Sequence, residues 1–166
     1  MAQQYSFTVS TESQWLVSKR KDSWGNWTTG TWSPVLAFPS MIPKGAKNIS
    51  AILNVNVTQD PFYGSYFYVD DKKCSTSTGT KTVTVDVAAG SKSKTVEVTF
   101  TASGKTGSTA ELQLNMALTV SYEYSDSPLQ KVENGALVKY KLYRAENGSL
   151  VGYNVYRAEN GALIQY

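Results

Sequence analysis

The residues of this chain that are best suited to chemistry are tryptophans and carboxylates, since it contains no histidine. Trp24, Trp27 and Trp32 lie in one stretch rich in glycine, serine and threonine. An exposed indole stacks on a sugar ring or fills a partner's pocket. The stretch is therefore a candidate ligand-binding platform. The alternative is that each ring fills one end of the protein core and donates its N–H group to a loop carbonyl.

The carboxylates do not form a recognisable catalytic or metal-binding pattern. Glycoside hydrolysis requires a matched pair of carboxylates, and a calcium loop requires several oxygen ligands at fixed spacing. Because neither arrangement is evident, we expect Asp60, Asp70 and Asp71 to occupy surface turns, and we predict no enzymatic activity, no metal and no cofactor. The carboxylates considered were Asp60, Asp70, Asp71, Glu97 and Glu111.

Several other classes of site are excluded by composition. Without histidine there is no His-based triad and no His-rich zinc site. The one cysteine, Cys74, has no second cysteine for a disulfide and no histidine to activate it. The net charge of +3 is mild, and the only tight basic run is Lys19-Arg20-Lys21, so nucleic acid is not an expected partner.

The N-terminal residues are polar and contain no signal-peptide core. No apolar run approaches the roughly 18 residues that a membrane-spanning helix needs. We therefore expect synthesis in the cytoplasm and no membrane partner.

The elements that would position these residues fall into two regions, and the C-terminal one, residues 126–166, contains a 13-residue unit that repeats almost three times. Each copy contains an Asn-Gly dipeptide, which suits a type I′ turn because glycine accepts positive φ freely and asparagine tolerates it. Leu, Val and Tyr between the turns fit a pleated sheet. The repeat therefore predicts a meander of antiparallel hairpins. The turns are Asn134-Gly135, Asn147-Gly148 and Asn160-Gly161.

Two-residue turns fix the register of this meander. They place Leu142 opposite Tyr153, Val138 opposite Arg157 and Arg157 opposite Ile164, and they pair Val155 with both Tyr140 and Tyr166. Strand alternation then collects most of the apolar residues on one face. That face consists of Val138, Tyr140, Leu142, Val151, Tyr153, Val155, Ile164 and Tyr166.

A sheet of about three strands is marginally stable alone, and an uncovered apolar face of this kind is sticky. We therefore expect the face to be an oligomer interface, with a trimer or a dimer favoured. Two alternatives remain open. The tail folds back as a flap on its own domain, or each repeat winds around a common axis as a trimeric β-spiral.

The N-terminal region, residues 1–125, contains alternating strands separated by Gly/Ser/Thr turns and shows no helical period. A turn at 89–91 suits a hairpin between Thr82–Val87 and Thr95–Phe100, and residues 72–80 form a predicted low-complexity loop. This pattern predicts an all-β chain, with an N-terminal β-sandwich of jelly-roll type followed by the repeat tail.

The run Ile42–Ala46, the strand that starts at Ile49 and the closing strand Leu112–Tyr124 resemble jelly-roll modules. Such modules occur in phage and prophage virion proteins and in some extracellular adhesive proteins. The tail is similar to fibre and appendage segments of phage structural proteins.

This resemblance implies a non-enzymatic virion protein that is made in the host cytoplasm and assembles as a homo-oligomer. Its place would be a capsid decoration or head fibre, or a tail fibre or baseplate. Its partners would be other virion proteins and a host surface glycan. The alternative function is a carbohydrate-binding or adhesion module that uses Trp24, Trp27 and Trp32.

Overall fold

The computed structural model describes residues 2–61 and 66–125 with their side chains, and the backbone of six strands between residues 129 and 165. All regular structure in these residues is β-strand, so the predicted all-β class is confirmed. The chain divides into two compact units, Met1–Tyr124 and Ser125–Tyr166.

The first unit has eleven strands in its described residues. Its longer strands alternate apolar and polar residues, which buries one side of each strand and leaves the other side to water. In chain order they are β1 (Gln3–Ser10), β2 (Gln14–Lys19), β3 (Thr29–Trp32), β4 (Val35–Ala37), β5 (Lys47–Gln59), β6 (Tyr66–Val69), β7 (Lys72–Ser75), β8 (Gly79–Thr84), β9 (Ser93–Thr95), β10 (Val98–Thr101) and β11 (Thr109–Tyr124).

The larger sheet has five antiparallel strands in the order β1-β11-β5-β8, with β2 also paired to β11. The 16-residue strand β11 is long enough to hold two partners end to end on one side. Its residues 117–124 pair with β1 and its residues 109–114 pair with β2. On its other side it pairs with β5.

The second sheet has the strand order β3-β10-β6-β7, and β4 and β9 form a small separate pair. Side chains from both main sheets form one buried cluster, including Leu53 and Leu118 of the larger sheet and Phe67 and Phe100 of the second. This is the arrangement of a β-sandwich. Each such side chain contributes about 1.5–3 kcal/mol when it is fully buried.

The structure corrects two predictions about the first unit. The predicted loop 72–80 contains β7 and the start of β8, and β6 and β7 are joined by the tight turn Asp70-Asp71, both residues having positive φ. The predicted hairpin around residues 89–91 is absent from the described sheets, because β8 pairs with β5 whereas β10 pairs with β3 and β6. The intervening segment instead bonds to another loop, with Gly90 N–H donating to the Ile42 carbonyl over 2.8 Å.

The second unit has six strands among its described residues, which form three two-stranded antiparallel sheets. In each, an Asn-Gly dipeptide lies between the two paired strands in the sequence. The strands are β12 (Leu129–Glu133), β13 (Ala136–Tyr140), β14 (Leu142–Glu146), β15 (Ser149–Tyr153), β16 (Tyr156–Glu159) and β17 (Ala162–Gln165).

Three of the predicted register pairs fall on these strands. Leu142 lies opposite Tyr153, and Arg157 lies opposite Ile164. Val138 lies opposite Lys131 within its own hairpin rather than opposite Arg157. Predicted pairs that involve Val155 or Tyr166, and the Asn-Gly dipeptides themselves, lie outside the described residues.

Candidate binding site at the tryptophan loop

Residues 22–27, which we call the tryptophan loop, are organised by the carboxylate of Asp22. Its Oδ1 accepts the backbone N–H groups of Trp24 over 2.9 Å and of Asn26 over 3.1 Å, and its Oδ2 accepts the Asn26 side-chain amide over 2.5 Å. An aspartate that bonds to the backbone just after it is a common way to hold a turn. The Asn26 side-chain bond is the largest of the interactions that lower the pKa of Asp22.

Arg20 and the segment that contains Gly104 and Gly107 contact the loop. Gly25 has φ of +91°, and a Cβ built on it would lie 2.9 Å from the Gly104 carbonyl oxygen. Arg20 donates through Nε to the Asp22 carbonyl over 2.6 Å and through a terminal nitrogen to the Gly107 carbonyl over 3.2 Å. The loop is therefore fixed in shape at its base, which lowers the entropy cost of presenting a ring from it.

The structure separates the three tryptophans of the predicted platform. Trp24 is 82% exposed, whereas Trp27 is only 7% exposed and donates its indole N–H to the Gly104 carbonyl over 3.0 Å. Trp32 is half-buried against the core. Trp27 thus occupies the core position that was the alternative interpretation, and Trp24 alone is fully presented to a ligand.

Two exposed lysines are close to the tryptophan loop. Lys21 directly precedes it in the sequence, and the Lys105 side chain approaches Gly25. The one carboxylate in the loop, Asp22, is already engaged by three hydrogen bonds from the loop itself. An exposed indole ring can stack on an apolar or sugar surface, and exposed lysines near the loop attract negative charge.

The structure places the five carboxylates in two groups, one with Asp70, Asp71 and Glu97 and one with Asp60 and Glu111. Asp70 forms an ion pair with Lys94 at 2.9 Å and accepts the Glu97 backbone N–H over 2.8 Å. Asp60 and Glu111 line a surface cavity of about 450 Å³ with three uncharged residues. In the described part of the chain, no group of three or more Asp, Glu, Cys or His residues could hold a metal ion.

Cys74 lies on β7, inside the first unit. Burial raises the pKa of its thiol, and nearby Lys81 lowers it to a smaller extent. Its Sγ donates weakly to the Lys72 carbonyl at 3.8 Å. A buried thiol with a raised pKa is a poor nucleophile, because the thiolate is the reactive form.

A pair of exposed aromatic residues lies on β6. Tyr66 and Tyr68 project from one face of that strand, and the ammonium of Lys73 lies 3.7 Å from the centre of the Tyr66 ring. This cation–π contact covers one face of the Tyr66 ring. Tyr63, which belongs to the same tyrosine group in the sequence, is outside the described residues.

Six of the eight residues of the predicted tail interface lie on strands whose backbone is described, and Val155 and Tyr166 lie outside the described residues. Within β13, Val138 and Tyr140 are two positions apart and so share a face of their hairpin. Leu142 and Tyr153 are directly opposite each other in the next hairpin, and Val151 is on the same face.

Comparison with known proteins adds no relative. No protein family, curated protein or solved structure matches this chain. Within the described residues, no helix is both long and apolar enough to cross a membrane.

Proposed function

We propose that the protein is a non-enzymatic structural component of a bacteriophage virion. The first unit is a jelly-roll-type sandwich that attaches to other surfaces, and the second unit holds copies together. The location is a capsid decoration or head fibre, or a tail fibre or baseplate. The proposal rests on the likeness of both halves to such proteins and on the two-unit organisation.

The observation that carries the proposal is the contrast between the two units. The first has a continuous buried core drawn from two sheets. The second is built from hairpins of only two strands each in its described residues. An isolated two-stranded hairpin is marginally stable in water at best. Association of identical tails supplies the missing cover and shortens the set of open strand edges.

The expected interface is the repeated apolar face of the hairpins. Because each repeat places Leu or Val and Tyr at matching positions, copies of the tail present the same surface to one another. A closed dimer or trimer buries that surface without leaving a sticky end. Other virion proteins and a host surface glycan then contact the loops of the sandwich.

The test is the native mass of the full chain beside that of the chain cut after Ser127, measured by light scattering. The full chain is expected to contain two or three times as many subunits as the shortened one. Equal subunit counts would remove the tail from oligomerisation and defeat this part of the proposal.

A second candidate function, a carbohydrate-binding or adhesion module, is favoured by the exposure of Trp24 on a preorganised loop. We expect Trp24→Ala to leave the melting temperature unchanged and to abolish binding on a glycan array. Trp15→Ala is the control, since Trp15 is 41% exposed on strand β2 rather than in the tryptophan loop.

Trp27→Ala is a second comparison, in which folding stability rather than binding is expected to change. Its ring is buried, so the substitution is expected to cost about 3–5 kcal/mol of folding stability. If the protein binds no glycan, or if Trp24→Ala binds as the wild type does, the second candidate is excluded, while the proposed association through the tail is unaffected.

A further inference from the structure

Among the outer edges that the described strands of the first unit form, most carry a protective device. On β8, the ammonium of Lys72 donates to the Thr84 carbonyl. Strand β7 itself contains Lys72 and Lys73. On the remaining edge of the second sheet, β3 lies against β2, with Thr28 N–H donating to the Lys19 carbonyl over 2.8 Å. Edge lysines and covering segments are the usual means of preventing strand addition.

Strand β1 has none of these devices. Its eight residues, QQYSFTVS, include no charged residue and no proline. It pairs with β11 over its whole length without a register shift, and the described strands include no partner on its other side. A long, regular and uncharged edge is a template for another strand.

The hydrogen-bond phase of β1 identifies the groups that face outward. Thr11 N–H donates to the Met116 carbonyl, and this pair continues the register of β1 on β11. Directly opposed pairs alternate between bonded and non-bonded types in antiparallel sheets. Val9, Phe7, Tyr5 and Gln3 therefore bond to β11.

The opposite side of β11 agrees with this alternation, because the carbonyl of the odd-numbered Gln113 points toward β5. It accepts a hydrogen bond from the side-chain hydroxyl of Thr58 over 3.3 Å. The backbone groups that point to the free edge are those of Gln4, Ser6, Thr8 and Ser10.

The same edge leaves apolar side chains incompletely covered. Tyr5, Phe7 and Val9 are half-buried over the core. Tyr5 stacks on Tyr122 with ring centres 5.4 Å apart, and Phe7 contacts Phe38 at 5.0 Å. A strand added at this edge would extend the sheet over the exposed sides of these rings.

We propose that β1 pairs with β1 of a second copy of this chain, antiparallel about a two-fold axis that passes beside Phe7. The two five-stranded sheets then join into one continuous sheet. All four outward-facing residues find partners in this register, and the half-buried residues meet on the inner face. The pairs are Gln4 with Ser10, Ser6 with Thr8, Tyr5 with Val9, and Phe7 with Phe7.

A second copy of β1 can pair with this edge for two reasons, the absence of charged residues on β1 and the alternation of its side chains. A charged strand would place like charges near each other across a two-fold axis, which is destabilising, and β1 carries no charge. The register pairs even residues with even ones, so apolar side chains face the core side in both copies. The aromatic pair at the axis adds a favourable cross-strand contact.

This contact goes beyond the proposed function, because it belongs entirely to the first unit and does not use the tail. The test is sedimentation of the full chain across a concentration series. Ser6→Lys and Thr8→Pro are each expected to halve the subunit number. Proline is tolerated on an edge strand where the lost N–H faces outward. Ser121→Lys adds the same charge opposite Ser6 on the inner neighbour β11 and is expected to keep the wild-type mass.

Melting temperatures of the variants are measured in parallel to establish whether each is folded. The proposal is overturned if Ser6→Lys and Thr8→Pro both retain the wild-type subunit number. Failure of the tail proposal gives a different result: removal of the tail changes nothing, while the β1 variants still halve the mass.

Cysteine pairing tests the register. Residues 6 and 8 of opposite copies would have Cα atoms about 5.5 Å apart, within the range of a disulfide. Oxidising a mixture of Ser6→Cys and Thr8→Cys chains is expected to give cross-linked dimers in higher yield than either variant alone. Equal yields in all three samples, or no cross-link in any, would contradict the pairing.

Discussion

At the scale of single residues, the Ser18 hydroxyl links β2 to the residue before β3 and to the residue after β10. It is fully buried on β2, donates to the Thr28 carbonyl over 2.5 Å and accepts the Ala102 N–H over 3.0 Å. A buried backbone N–H without a partner is costly, so the hydroxyl stabilises the place where β2 passes between the two sheets.

Ser18→Ala is therefore expected to lower the free energy of unfolding by about 1–3 kcal/mol, because the Ala102 N–H loses its acceptor. The measurement is the urea unfolding midpoint. Ser10→Ala, at an exposed position of β1, is the control and should leave that midpoint unchanged. A neutral Ser18→Ala would mean that another group accepts the Ala102 proton.

Asp70 supplies a pH-dependent contribution to stability. Burial raises the pKa of its carboxyl, but the Lys94 ammonium and the Glu97 N–H outweigh burial and hold the pKa below its usual value. A lowered folded-state pKa gives stability that is present above the unfolded-state pKa and is lost as the pH falls through the folded-state pKa.

We expect acidification through that range to lower the melting temperature of the wild type more than that of Asp70→Asn. Asp71→Asn is a matched control, since both residues have positive φ, which asparagine tolerates. Parallel pH profiles for the wild type and Asp70→Asn would show that the ion pair with Lys94 does not contribute.

At the scale of elements, the close approach of β3 to β2 depends on Gly30. A Cβ on Gly30 would lie 2.8 Å from the Val17 carbonyl oxygen and 2.9 Å from its nitrogen. Both are backbone atoms, so a side chain at this position must displace one strand from the other.

Gly30→Ala is expected to destabilise the sandwich by about 1–3 kcal/mol through this overpacking. Gly45→Ala is the control, because its Cβ would meet only the Tyr124 ring at 3.6 Å, an ordinary contact. The measurement is the melting temperature of the two variants, and we expect that of Gly30→Ala to be the lower. Equal melting temperatures would show that β2 and β3 separate at little cost in free energy.

The errors in the predicted elements also have a structural cause. The segments around Val83 and Val98 alternate like neighbouring hairpin strands, and the turn between them has suitable residues. Their partners are nevertheless remote in sequence, because Val83 lies opposite Leu53 and Val98 lies opposite both Trp32 and Val69. Local pattern determines that a segment is a strand, whereas its partners depend on how the two sheets pack.

At the scale of the whole molecule, the buried cluster of described residues runs from Leu16 to Tyr122 and lies entirely in the first unit. The chain cut after Ser127 is therefore expected to unfold in one cooperative transition. Calorimetry of the shortened chain checks this. Two resolved transitions, or none, would show that this cluster is not sufficient for a cooperative fold.

The two proposals concern different contacts of one molecule. The tail would join copies through its repeated apolar face, and β1 would join copies through backbone hydrogen bonds at a sheet edge. The exposed Trp24 ring is independent of both, since its loop is organised by Asp22 and Gly25.

The amino-acid sequence by itself determined that the chain is all-β and which faces of β5 and β11 are apolar. It also determined that Asp70-Asp71 and the Asn-Gly dipeptides suit turns. These properties follow from side-chain alternation and backbone preference within a few residues. Only the tertiary structure decided that Trp27 is buried while Trp24 is exposed, and that β1 has no second partner among the described strands. Burial and edge position depend on which distant segments pack together, and a local pattern contains no such information.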